Sequence, residues 1–184
     1  HVRSRRQRQM CIRDRFNFVP HLGGAPEPAV FDHVVSLIAP LGWHLCLHVD
    51  GAMLPDLLPR LLALPVPFVV DHMGRLKAAD GLDSPAMRAL LSLADVPQAW
   101  VKVSGIDRIA SGQRPFAEGI PFVRALVEAL PERTLWGTDW PHPNVAGDMP
   151  DDGELVDTFF EACPDAALRQ RVLVDNPARL YGFM

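Results

Sequence analysis

Residues 134–144 read Thr-Leu-Trp-Gly-Thr-Asp-Trp-Pro-His-Pro-Asn, a short apolar run followed by a glycine, an acid and two prolines. Because the prolines prevent a helix or a strand from continuing, the run predicts a strand that ends near Gly137. Asp139, His142 and Asn144 crowd just beyond that end. Substrates bind at the carboxyl ends of strands in parallel α/β proteins, although an Asp and an Asn that cap a turn would explain this stretch equally well.

The same succession of an apolar run and then polar residues recurs along the chain. Further strands are predicted at 15–19, 43–49, 66–70 and 100–103. Helical periodicity predicts helices at 28–39, 53–64, from Ser84 to about residue 93, 116–130, 152–163 and 166–174, with a long loop up to Pro115. Strands and helices alternate every 25 to 35 residues or so, which is typical of βαβ units and a parallel sheet. Neither GxGxxG nor GxxxxGK[ST] occurs, so dinucleotide and P-loop folds lack their fingerprint.

Composition limits the kind of protein. A chain of 184 residues with 48% hydrophobic and 22% charged residues suits one globular domain. The net charge of -4 argues against a nucleic-acid partner, and the apolar runs are too short for a membrane span. The three cysteines are odd in number and show no CxxC spacing, which argues against a disulfide scaffold or a zinc ribbon and favours a reducing, cytoplasmic setting.

Residues 1–14 differ from the rest of the chain. They carry five arginines, few apolar residues and no periodicity. We interpret them as a disordered or extraneous leader, with a transit peptide or a nucleic-acid-binding arm as the alternative. The folded domain is therefore predicted to comprise residues 15–184.

Three polar residues at strand ends suggest a common site. His48, His72 and Asp139 each follow a predicted strand, and the carboxyl ends of parallel strands meet at one edge of a sheet. Two imidazoles and a carboxylate suit Zn²⁺ or a similar ion. They also suit metal-free catalysis, with the carboxylate as general base toward water and a histidine polarising the attacked group. His44 is interpreted as a hydrogen-bonded core residue and His33 as a helix-surface residue.

Arginines accompany these residues. Arg15, Arg75 and Arg108 lie at or just beyond strand ends, and their planar guanidinium groups suit carboxylates. They predict a small anionic substrate that bears carboxylates, although a surface salt bridge would explain each arginine by itself. His142 and Asn144 are further candidates for substrate contact. Lys102, inside a strand, is left unassigned.

Four stretches together carry a resemblance to a known family: Arg15-Phe16-Asn17-Phe18, Asp71-His72-Met73-Gly74-Arg75, the stretch 136–144, and Asn176-Pro177-Ala178-Arg179-Leu180-Tyr181. The chain from residue 15 onward resembles the amidohydrolase-related branch of the amidohydrolase superfamily. Within it, the chain is most similar to the group of 2-pyrone-4,6-dicarboxylate lactonases and sulfomuconolactone hydrolases. The resemblance implies a distorted (β/α)8 TIM barrel whose site lies at the strand carboxyl ends.

The resemblance also implies roles for individual residues. His48 and His72 correspond to the histidines on barrel strands five and six, and Asp139 to the aspartate that closes strand eight and activates water. Arg15 and Arg108 match positions that grip substrate carboxylates. The implied reaction is hydrolytic opening of a small carboxylated lactone, a step in aromatic compound catabolism, with an imidazole or a metal ion polarising the carbonyl. The implied cofactor is either one divalent ion, with zinc favoured, held by His48, His72 and Asp139, or none.

One family feature is missing from the sequence. The family begins with a strand that carries a His-x-His pair, and no such pair occurs here. We therefore expect residues 15–184 to be the C-terminal part of a longer enzyme, about barrel strands 4 to 8 with their helices, and to be a poor catalyst alone. Two other functions compete: a metal-dependent decarboxylase of an aromatic or unsaturated acid, and a truncated barrel that only binds anions or a partner.

Overall fold

Five parallel strands form one sheet in the computed structural model. They are β1 (Arg13–Asn17), β2 (His44–His48), β3 (Phe68–Val70), β4 (Ala99–Lys102) and β5 (Thr134–Leu135). The structure describes residues 13–20, 23–110, 114–142, 145 and 147–182. Each strand pairs with the next one along the chain, so the order runs in one direction without the reversal of a doubly wound sheet. The predicted α/β class with a parallel sheet is confirmed.

Helices follow the strands. They are α1 (Pro28–Ile38), α2 (Leu54–Leu62), α3 (Pro85–Ser92), α4 (Ile106–Ile109), α5 (Ile120–Ala129), α6 (Asp152–Ala162), α7 (Ala166–Gln170) and α8 (Asn176–Tyr181). Local sequence explains their starts: Ser84 accepts a hydrogen bond from the backbone N–H of Met87, and Asp151 forms a capping box with Glu154. No helix in the described part of the chain is long and apolar enough to cross a membrane.

Three segments differ from the prediction. β1 begins at Arg13 and not at residue 15, so Arg13 and Asp14, which were expected in the leader, pair with β2. The loop expected before Pro115 contains α4, a single helical turn that periodicity could not reveal. The helix expected at 166–174 ends at Gln170 and continues as a π-helical turn, Arg171–Asp175, before α8. Because Pro177 lacks an N–H, the regular hydrogen-bond ladder cannot run through this region unchanged.

The two faces of the sheet are packed differently. Side chains such as Leu45, Leu47 and Phe68 belong to a large core formed with the helices. The opposite face carries a small cluster, Cys46, Val69, Trp100 and Leu135, against which Leu180 and Tyr181 of the C-terminal segment pack. His44, Cys46 and His48 alternate with Leu45 and Leu47 along β2, so they share the thinly covered face.

Strained backbone follows β3 and β5. After β3 the chain makes a tight turn, Asp71–Arg75, in which His72, Met73 and Arg75 have φ between 50° and 52°. Beyond β5, Asp139 has φ 68° and His142 has φ 55°. Gly74 is required in the first turn, because a Cβ there would lie 2.5 Å from Cδ1 of Leu54. The tight turns place polar side chains directly at the strand ends.

Candidate active site

Asp139 is the point at which residues from three strands meet. Its Oδ2 lies 2.6 Å from Nη2 of Arg108, which follows β4. Its Oδ1 lies 3.5 Å from Nε2 of His72, which follows β3. The Asp139 side chain is 21% exposed, so the carboxylate is held by two nitrogen groups and still reaches solvent. Such a carboxylate can accept a proton from a water molecule that binds beside it.

His72 is fixed from its other ring nitrogen. Its Nδ1 lies 2.9 Å from Oγ of Ser104, a residue that is 1% exposed. Burial lowers the pKa of His72; the carboxylates of Asp71 and Asp139 act in the opposite direction, and Lys102 and Arg108 lower it further. The ring is therefore neutral at neutral pH, with one nitrogen as donor and the other as acceptor.

His48 lies beside His72. The two ring centroids are 5.6 Å apart, with the rings nearly perpendicular. Nδ1 of His48 lies 3.1 Å from Oδ1 of Asn17. Burial, reinforced by the charge of Arg15, lowers the pKa of His48 from 6.5 to about 4. The structure thus brings together the three side chains that the sequence singled out, His48, His72 and Asp139.

A buried ion network lies next to these histidines. Asp71, which immediately precedes His72, is fully buried and has Nζ of Lys102 2.6 Å from its Oδ1 and Nη1 of Arg15 3.1 Å from its Oδ2. Burial raises the pKa of the Asp71 carboxyl, but Lys102, together with His72 and Arg15, outweighs burial and holds the pKa below its ordinary value. Burial lowers the pKa of Lys102, and Asp71 more than reverses this effect. The network fastens the ends of β1, β3 and β4 to one another.

The remaining predicted residues have other neighbours. Arg75 pairs with Asp50, Nε to Oδ1 at 2.8 Å, and its side chain is 34% exposed. His142 is buried and its Nε2 lies 3.0 Å from Oδ1 of Asp152, at the start of α6. Asn144 lies outside the described residues.

Metal binding can be judged from the donors present. His48, His72 and Asp139 are of the types that zinc prefers. Among the residues that the structure describes, however, no group of three or more His, Cys, Asp or Glu side chains is arranged so that it could hold a metal ion. At Asp139 the guanidinium of Arg108 contacts Oδ2, and its positive charge opposes a cation there. The described arrangement therefore does not fit a metal ion as it stands.

Sequence reasoning gave no role to Asn17 and Ser104, which contact the histidines, or to Asp71, which pairs with Lys102 and Arg15. Asp71 and Ser104 follow predicted strands, so the strand-end criterion that found His48 and His72 would also have found them, whereas Asn17 lies inside the predicted strand 15–19 and ends β1 only in the structure. What it could not show is which side chain each one contacts. The register does: Asn17 lies opposite His48 in the β1–β2 ladder.

The chain is similar in sequence to known hydrolases. The chain is 41% identical over 176 residues to a 2-pyrone-4,6-dicarboxylate hydrolase of Comamonas testosteroni, covering 91% of this chain and 58% of the relative. It is 39% identical over 171 residues to a 4-sulfomuconolactone hydrolase of Hydrogenophaga intermedia, covering 91% and 56%. The chain thus spans less than two thirds of the length of either relative.

Solved structures show the same likeness. A Pseudomonas putida protein, crystallised as a candidate 2-pyrone-4,6-dicarboxylic acid hydrolase, superposes with a TM-score of 0.83 at 32% identity, covering 99% of this chain and 67% of that one. A Burkholderia multivorans amidohydrolase solved with bound zinc has a TM-score of 0.67 at 23% identity, covering 84% and 57%, a likeness that shows the fold alone. The model of the amidohydrolase family matches residues 14–183. Since that match takes in the strands, the helices and the site, the chain belongs to the amidohydrolase family.

Proposed function

We propose that this protein hydrolyses the ring of a small carboxylated lactone, of the 2-pyrone-4,6-dicarboxylate or muconolactone kind. The observation that carries the proposal is the convergence of His72 and Arg108 on the carboxylate of Asp139, at 3.5 Å and 2.6 Å. The names of the two relatives support this substrate class. Because the chain spans 56–58% of their length, the activity is proposed for the whole protein.

In the proposed reaction, Asp139 acts as general base. A water molecule donates a proton to the carboxylate while its oxygen forms a bond to the lactone carbonyl carbon. The carbonyl oxygen becomes negatively charged, and the nearby N–H groups of His72 and Arg108 are suited to stabilise it. The ring C–O bond then breaks, and the ring oxygen takes the proton from Asp139. The product is the ring-opened acid.

The arginines are proposed to bind the substrate carboxylates. Arg15 and Arg75 already hold carboxylates, those of Asp71 and Asp50, and their side chains are 42% and 34% exposed. Their guanidinium groups have several donors, so each can hold its present partner and still receive a second carboxylate. His142 and Asn144 are proposed to contact the substrate from the segment after β5.

The five strands are proposed to correspond to about strands 4 to 8 of a (β/α)8 barrel. The sheet order, which follows the chain without reversal, supports this assignment. A cytoplasmic location is likewise proposed, on the three cysteines without CxxC spacing.

Replacing the general base, Asp139, tests the proposal. The purified full-length protein is incubated with 2-pyrone-4,6-dicarboxylate and with muconolactones, and ring-opened acid and CO₂ are both measured. We expect ring-opened acid without CO₂, and we expect Asp139→Asn to lower kcat by roughly 10²- to 10⁴-fold. Asp157→Asn, at an exposed position of α6, is the matched control and should leave kcat unchanged.

Other outcomes point to other functions. Release of CO₂ without ring-opened acid would identify a decarboxylase. Full activity in Asp139→Asn, or no turnover in the unmodified protein, would reject the assignment and favour a barrel that only binds anions. Loss of activity after chelation, restored by Zn²⁺, would add a metal ion to the mechanism.

A further inference from the structure

A tight turn, residues 139–142, carries the carboxylate of Asp139. The backbone N–H of His142 closes this turn by donating to the carbonyl oxygen of Asp139 at 2.8 Å. Both residues have positive φ, 68° in Asp139 and 55° in His142, a conformation that is unfavourable for a residue with a Cβ. Such a conformation persists only where neighbouring contacts hold it. The position of the Asp139 carboxylate therefore depends on what anchors the turn.

Helix α6 supplies an anchor on each side of Asp139. Before Asp139 in the chain, the ring of Trp136 stacks on that of Phe159, with the centroids 5.1 Å apart. After Asp139, Nε2 of His142 lies 3.0 Å from Oδ1 of Asp152, the first residue of α6. Phe159 is 1% exposed, so α6 itself is fixed in the core. The carboxylate of Asp139 thus lies on a short segment that is fastened to one helix at both ends.

The contact between His142 and Asp152 has a fixed direction. An ionised carboxylate only accepts, so the Nε2–H of His142 is the donor whatever the charge of the ring. The side chain of His142 is 3% exposed, whereas that of Asp152 is 46% exposed. Without this acceptor, the Nε2–H would have to turn toward water to find a partner, and the ring would move together with the end of the turn. The Asp152 carboxylate therefore keeps the His142 ring in place.

We propose that Asp152 is a positioning residue: through Nε2 of His142 it holds the strained turn 139–142 and so keeps the carboxylate of Asp139 in place beside His72. Asp152 acts through His142 and does not itself contact the substrate. Because Nε2 of His142 is engaged by Asp152, a contact of His142 with the substrate falls to its other ring nitrogen or its backbone. The role in lactone opening rests on the proposed function, whereas the anchoring of the turn does not.

Amide hydrogen exchange measures the anchoring of the turn directly. Mass spectrometry of the full-length protein, without substrate, follows the amide of His142, whose neighbours Pro141 and Pro143 carry no amide hydrogen. We expect this amide to exchange at least about tenfold faster in Asp152→Ala, because the hydrogen bond that closes the turn opens more often. Asp152→Asn keeps a side-chain oxygen that accepts from Nε2, so its exchange should stay within about threefold of the unmodified protein.

Kinetics of the full-length protein provide the second measurement. Asp152→Ala should lower kcat about ten- to hundredfold and change KM less than about threefold, because a displaced general base impairs the chemical step more than binding. Asp152→Asn loses the same negative charge at the start of α6 but keeps the acceptor, so it should recover most of the loss. Asp157→Ala, at an exposed position of α6, is the control and should change neither exchange nor kcat. If Asp152→Ala does not fold, His142→Phe, which removes the donor and keeps a ring, replaces it in both measurements.

The outcomes separate the two proposals. Unchanged exchange at residue 142 in a folded Asp152→Ala overturns the inference even if lactones are hydrolysed. Faster exchange with an unchanged kcat, or equal losses of kcat in Asp152→Ala and Asp152→Asn, overturns the positioning role. Faster exchange in a protein that opens no lactone supports the anchoring of the turn and overturns the proposed function.

Discussion

The two ends of the sheet are built in different ways. The carboxyl-end rim, comprising His48, His72, Arg108, Asp139 and their hydrogen-bonded neighbours, concentrates charge and strain. Five of the six non-glycine residues with positive φ in the described chain follow β3 or β5 there. The rim also holds the fully buried carboxylate of Asp71.

The amino-end base, comprising His44, Trp100 and α8, is closed by ordinary packing. The ring of His44 lies 5.5 Å from that of Tyr181, and the guanidinium of Arg179 stacks over Trp100 at 5.1 Å. Asn176 donates to the carbonyl oxygens of Pro131 and Thr134, both at 2.9 Å, which ties α8 to β5. The contrast teaches that strain and buried charge are concentrated at the end where a substrate would bind, while the other end is closed by packing and hydrogen bonds.

Breaking the buried ion network should have the largest effect on stability. Asp71→Asn keeps the shape of the side chain but leaves the ammonium of Lys102, 2.6 Å away, without its carboxylate. Removing one partner of a buried pair costs about 3–5 kcal/mol, so the free energy of unfolding in urea should fall by that amount. The exposed Asp157→Asn should change it by less than about 0.5 kcal/mol. If the free energy of unfolding of Asp71→Asn falls by less than about 1 kcal/mol, Lys102 finds other partners and the buried ion network contributes little to stability.

A substitution in the amino-end base should lower the stability of the protein and leave its activity unchanged. Asn176→Ala leaves two carbonyl oxygens, one buried and one partly buried, without their donor and should lower the free energy of unfolding by about 1–3 kcal/mol. In native buffer the kcat for lactone opening should stay the same, because α8 lies at the opposite end from Asp139. Gln170→Ala, at an exposed amide of α7, serves as control. If Asn176→Ala lowers kcat and leaves the free energy of unfolding unchanged, the division of roles between the carboxyl-end rim and the amino-end base is wrong.

The rim should also make stability depend on pH. Folded His48 has a pKa of about 4, against 6.5 for an unburied histidine, so between these values the unfolded chain binds more protons. The stability is fully present above pH 6.5 and is lost as the pH falls toward 4; from pH 7 to pH 5 the loss is about 2 kcal/mol. Urea unfolding at both pH values should show that His48→Gln loses less than the unmodified chain.

The exposed His33 provides the control for this measurement. His33→Gln should keep the full pH dependence, because it leaves His48 and the neighbours of His48 unchanged. Equal pH dependence in His48→Gln and His33→Gln would show that burial does not suppress protonation of His48.

Much of this organisation could be predicted from residue patterns. The apolar runs and helical periodicity predicted the parallel α/β class, and the strand-end positions singled out His48, His72 and Asp139, which the structure brings together. The short helix α4 was missed because one turn carries too few residues to show a period. The partners of the arginines were missed because Arg15, Arg75 and Arg108 find Asp71, Asp50 and Asp139 only across strands or turns.

By itself, the sequence determined the alternation of strands and helices and the residue types at each strand end, because hydrophobic periodicity and proline act locally along the chain. Only the tertiary structure decided which group faces which: that Asn17 meets His48, that Ser104 meets His72 and that Arg108 holds Asp139. The physical reason is that strand register and the turns after β3 and β5 set these distances, and hydrogen bonds and ion pairs depend on distances of a few ångströms.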